Sequence, residues 1–118
     1  MSDISMVRGD TLKLSIAGIK TQSGEDYVLA KTDVIYLDVK KYASDSTPIF
    51  RKSVTSADYV DGTLPIVILP KDTAGLSPRE YVFDVRLFID EDNIYTIIPM
   101  SKLNIVSNVT DIPEGGGS

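Results

Sequence analysis

The sequence predicts an all-β protein, an immunoglobulin-like antiparallel β-sandwich of about seven short strands. Three observations lead there. Runs in which every second residue is apolar recur along the 118-residue chain. Turn signals rich in Gly, Pro, Asp and Ser separate these runs at intervals of roughly ten residues. No stretch of useful length carries the apolar spacing of an amphipathic helix.

The clearest run is Glu80 to Ile89. Tyr81, Phe83, Val85, Leu87 and Ile89 occupy alternate positions, and alternate side chains of a strand share one face. The opposite face holds Val82, Asp84, Arg86 and Phe88, polar in the middle and apolar at both ends. That pattern suits a central strand, buried inside and partly covered outside. Tyr81 stands just after a turn, so its hydroxyl is expected to bond back across the corner, with Phe83 in the place of an antibody domain's second cysteine.

The other elements follow in chain order. Residues 4–8 give a short strand through Ile4 and Met6, and Gly9 turns the chain within Arg8-Gly9-Asp10. Leu12, Leu14 and Ile16 alternate with Lys13 and Ser15, a half-buried strand. After a loop from Gly18 to Asp26, Tyr27-Val28-Leu29 is expected as a short edge segment. Ile35, Leu37 and Val39 mark a further strand, and Ala43 to Pro48 a loop. Ile49-Phe50-Arg51-Lys52 reads as a weaker strand, placed at an edge by the preceding Pro48. Asp61-Gly62 is a strong turn pair. Ile66 to Leu69, lying between Pro65 and Pro70, reads as a short strand buried on both faces. A single helical turn capped by Asp72 or Thr73 should follow. Asp90 to Asn93 is an acidic hairpin loop. Ile94–Ile98 and Leu103–Val106 are the last strands, with a break or bulge at Pro99-Met100-Ser101.

Residues 1–112 are expected to form one domain, and 113–118, ending Gly115-Gly116-Gly117-Ser118, a flexible tail or linker. The chain has no Cys and no His. Disulfides are therefore excluded, as are the usual general base near neutral pH and the commonest metal ligand. A net charge of −5 argues against nucleic-acid binding. No apolar run approaches the roughly 20 residues of a membrane span, and the first residues lack a signal-peptide pattern. The expectation is a protein made in a cytoplasm.

Several motifs tempt a sharper reading. Arg8-Gly9-Asp10 matches an adhesion tripeptide, yet it stands between two strand patterns as an ordinary turn. Asp90-Glu91-Asp92 has the oxygens a calcium ion prefers, and the plainer reading is a solvated hairpin tip. Tyr27, Tyr36, Tyr42, Tyr59 and Tyr95 are candidates for surface contact, since tyrosine is enriched at interfaces. No phosphate loop or nucleophile elbow is present. The expectation is a non-enzyme with no catalytic, metal or cofactor-binding residue.

An ordered set of short motifs adds a resemblance. It comprises Arg8-Gly9-Asp10-Thr11 before an alternating strand, Leu69-Pro70-Lys71-Asp72-Thr73-Ala74-Gly75-Leu76, Tyr81-Val82-Phe83-Asp84-Val85, Tyr95-Thr96-Ile97-Ile98, Leu103-Asn104-Ile105 and Asn108-Val109-Thr110. In order and spacing this resembles the small β-sandwich modules at the N-terminus of upper baseplate, tail and head-fibre proteins in phages of Gram-positive hosts. The resemblance implies a virion structural protein that docks onto baseplate, tail or capsid neighbours, with self-association as a further expectation. Capsid decoration is the variant of that reading. A carbohydrate- or cell-surface-binding sandwich is the alternative from another class. Exposed strand edges, at Ile4–Val7 and Ile49–Lys52, are the expected means of contact.

Overall fold

The computed structural model describes residues 3–20 and 23–109. Seven strands form two packed sheets: β1 (Ile4–Val7), β2 (Leu12–Ile16), β3 (Val34–Lys40), β4 (Phe50–Thr55), β5 (Leu64–Ile68), β6 (Arg79–Asp90) and β7 (Asn93–Val106). The larger sheet has the order β1-β7-β6-β3-β4, and β2 pairs with β5 in the smaller one. The all-β, seven-stranded expectation holds. The tail at 113–118 lies outside the described residues, as do Thr110 and the 110–112 end of the expected domain.

Alternation explains the core. Tyr81, Phe83, Val85 and Leu87 of β6 are buried beside Ile35, Leu37 and Val39 of β3 and Leu103 and Ile105 of β7. Ile16, Leu64, Ile66 and Ile68 of the smaller sheet close over them. Each such side chain contributes about 1.5–3 kcal/mol by leaving water. Ile89, the last of the β6 series, is half-buried. The Tyr81 hydroxyl donates to the Ser77 carbonyl at 2.7 Å, the corner bond its position predicts. Asp61 and Gly62 both have positive φ, 50° and 80°, and Val60 and Thr63 exchange backbone hydrogen bonds across them.

Five local expectations are corrected. β1 runs parallel to β7, with Ile4 opposite Leu103 and Val7 opposite Val106. Gly9 turns the chain as expected (φ 84°), and that turn carries it from one sheet to the other. Tyr27-Val28-Leu29 is not a strand. Its Leu29 is buried, and the Leu29 amide donates to the Tyr59 hydroxyl at 3.1 Å.

β5 spans Leu64–Ile68 and is buried at alternate positions only, while Leu69 is exposed. Because β5 pairs on one side alone, Pro65 fits within it despite lacking an N–H. The short helix α1 (Pro70–Thr73) has Leu69 as its N-cap, not Asp72 or Thr73. Asp72 instead reaches back, its carboxylate accepting the Leu69 amide at 2.8 Å. The last two expected strands are one, residues 93–106, and the expected interruption between them is a bulge. Phe83 faces Ser101 but Val85 faces Ile98, so Pro99 and Met100 bulge opposite Asp84.

β1 covers only Leu103–Val106 of β7. Asp3 closes that ladder, its carboxylate accepting the Lys102 amide at 2.9 Å. Upstream of Lys102 the outer side of β7 has no strand partner among the described residues.

Candidate docking surface

The outer face of the larger sheet carries an ordered side-chain chain. Register places Asp38 opposite both Arg51 and Asp84, and Tyr36 opposite Arg86. Arg51 donates through Nε and Nη2 to the two oxygens of Asp38 at 2.6 and 2.9 Å. Its guanidinium lies 4.3 Å from the centre of the Tyr36 ring. Tyr36 meets Phe88 edge-to-face, with centroids 5.1 Å apart and planes at 83°. Arg86 lies 5.5 Å from the Phe88 ring centre. Planar guanidinium groups stack on rings and bind carboxylates through two bonds, so each contact here restrains the next.

This face is also concave. Ala43, Ser46 and Pro48 of the β3–β4 loop rise on one side and Met100 of the β7 bulge on the other, enclosing about 290 Å³. Met100 is 59% exposed. Asp84 sits on the floor. Burial pushes its carboxyl above the usual range; Asp38 adds to this, and Arg86 and Lys40 counteract it. The Asp38 hydrogen bond raises Arg51 above its ordinary value.

Both edges named from the sequence lie at the ends of the larger sheet, β1 at one and β4 at the other. β4 begins at Phe50, and Ile49 precedes it with its amide donating to Val39 O at 2.7 Å. Lys52 anchors β4 to α1 by an ion pair with Asp72 at 2.7 Å. Burial raises the Asp72 carboxyl, but the Lys52 and Leu69 hydrogen bonds outweigh it and hold it below the usual range.

The tempting motifs serve the fold. Arg8 turns inward, donating from Nε to Asn108 Oδ1 at 2.9 Å and from Nη1 to Leu76 O at 3.3 Å. The Gly9 amide donates to the buried Thr73 hydroxyl at 2.9 Å. Asp90 closes its own turn by accepting from Asn93 Nδ2 and the Asp92 amide, both at 2.9 Å. Among the described residues no group of three or more acidic side chains is placed to hold a metal ion.

The five tyrosines divide. Tyr36 belongs to the outer face. Tyr27 and Tyr59 support the segment before β3: Tyr27 donates to Asp33, whose other carboxylate oxygen is buried with no hydrogen-bond partner among the described residues. That bond to Asp33, with burial, pushes the Tyr27 hydroxyl up to about 12. Tyr42 and Tyr95 are half exposed. Tyr42 accepts from Arg79 Nη1 at 3.5 Å, which lowers its hydroxyl below the ordinary tyrosine value. The sequence reading missed Arg79, because Tyr42 lies 37 residues away and only the fold joins them. No protein-family model and no curated protein matches the chain.

Proposed function

We propose that the chain is a non-enzymatic docking module of a phage particle, holding a baseplate, tail or head-fibre component to its neighbours in the virion. Decoration of a capsid is the same activity at another place on the particle. The resemblance of the ordered motifs supplies the particle. The observation that carries docking is the pre-assembled outer face, Asp38-Arg51-Tyr36-Phe88-Arg86, lying in a concave sheet with an open edge at β4. Restrained aromatic and arginine side chains lose little entropy on contact, which suits a binding hot spot. Sugar binding draws less support, because guanidinium groups already lie over the Tyr36 and Phe88 rings that would have to stack on it.

The test is capture. Purified protein is incubated with phage particles stripped of it, or with their separated structural proteins, and sedimented. Retention with the wild type, and a loss of about tenfold or more in Arg51→Ala/Phe88→Ala, is the expected outcome. Failure to retain on any virion component would remove the proposal.

A further inference from the structure

Two arginines in this molecule are stacked on tyrosine, and they differ in one respect. Arg51 lies on Tyr36 and holds the Asp38 carboxylate. Arg79, the first residue of β6, lies close to two rings, 4.9 Å from the centre of Tyr42 and 5.6 Å from that of Tyr81. Its Nε donates to Glu80 O at 3.1 Å and its Nη1 to the Tyr42 hydroxyl. No carboxylate lies within ion-pair distance of it among the described residues; Glu80, its neighbour, pairs with Lys102 at 3.8 Å instead. Lys41 adds a second cation, 5.7 Å from the Tyr42 ring. A guanidinium held against aromatic rings is suited to donate paired bonds to a carboxylate.

The same strand ends in carboxylates. Glu91 and Asp92 form the exposed turn just after Asp90, and Asp90 alone is used to close that turn. Arg79 and Asp90 are the two ends of β6, about 36 Å apart at the rise of an extended strand. The acidic turn therefore cannot reach the cationic cluster of its own molecule.

We propose that copies of this chain join head to tail, the Glu91-Asp92 turn of one docking on Arg79, Tyr42 and Lys41 of the next. Such a contact is heterologous: each copy uses two different surfaces, and repetition gives a ring or a filament. One exposed ion-pair contact is weak, and repetition in an array is what makes it hold. The contact uses neither the outer groove nor the β4 edge, so head-to-tail joining and particle capture succeed or fail separately.

The test is complementation between two broken surfaces, followed by sedimentation at concentrations up to about millimolar, the range one weak contact requires. Lys41→Gln/Arg79→Gln keeps the acidic turn and loses the clamp. Glu91→Gln/Asp92→Asn keeps the clamp and loses the turn, and neither neutral change creates a new charge pair in the mixture. Wild-type mass should rise with concentration past that of a dimer. Each variant alone should stay monomeric, and an equal mixture should form one-to-one dimers and stop there. Lys41→Glu alone, at an exposed loop position, should weaken the wild-type association several-fold and serves if Arg79→Gln disturbs folding. A wild type that stays monomeric, or a mixture whose members ignore each other, overturns the proposal. So does a monomer whose Tyr42 ring resonances move on Asp111→Asn, a position outside the described residues, since the occupant would then be a segment of the same molecule.

Discussion

The two ends of the sandwich are closed in different ways. At the end where β6 begins, several independent ties converge: Arg8 to Asn108 and Leu76, Gly9 to Thr73, and Tyr81 to Ser77. At the end where β6 finishes, closure depends on the segment from Ala17 to Asp33. Its one buried polar anchor among the described residues is Asp33, which accepts the Tyr27 hydroxyl and the Ala30 amide. Cavities of about 820 and 410 Å³ flank Gly18, Ile19 and Tyr27 at that end. Redundant ties make the first end tolerant of any single loss. The second end should open as a unit, because loosely packed loops with few anchors have the lowest local stability.

Substitutions can break that contrast. The largest effect is expected from Tyr27→Phe, which leaves a buried carboxylate with one fewer donor. It should cost about 1.5–3 kcal/mol in urea unfolding and speed amide exchange over 27–33. Its pH signature is alkaline. A tyrosine whose folded pKa is raised, here from 10.0 to about 12, adds stability that is complete below the unfolded value and fades as pH climbs between the two. Tyr27→Phe should flatten that decline; an unchanged alkaline profile would show that Asp33 does not hold Tyr27.

Thr73→Val comes next. It keeps the shape of a fully buried side chain and removes the acceptor of the Gly9 amide. With Arg8 still bonded nearby, the loss should be about 1 kcal/mol, with no change in exchange at the opposite end. A cost above that of Tyr27→Phe would reverse the ranking of the two ends.

The smallest change should be a gain. Asp84 has a raised folded pKa, so its charge opposes folding at neutral pH, and stability rises as pH falls through that raised value. Asp84→Asn should raise the melting temperature slightly at pH 7 and leave it unchanged in acid. A lower melting temperature at pH 7 would mean that Arg86 and Lys40 more than compensate the buried charge.

Strands whose identity rests on local alternation were legible. β3 buries the odd-numbered residues its pattern assigns and β6 all but Ile89, and the corner bond of Tyr81 follows from its place after a turn. What depends on distant partners was not. Nothing in Ile4 to Val7 says that its neighbour is Leu103 to Val106 or that the two run parallel. Pro65 reads as a boundary until β5 proves to be paired on one side only. Asp33, in Lys31-Thr32-Asp33, carries no local mark of burial. The outer-face residues of β6 were visible as an alternating set, but their assembly with Tyr36 and Arg51 required the β3 register.

The bulge at Pro99 and Met100 has a consequence for handling the protein in quantity. Upstream of Lys102, β7 offers an uncharged run, Ile94 to Ile98, whose outer backbone could template stacking of further chains. A residue with no N–H at the end of that run, set in a kink, interrupts such growth. Pro99 is thus expected to oppose strand addition along that edge, at a margin the buried core does not touch.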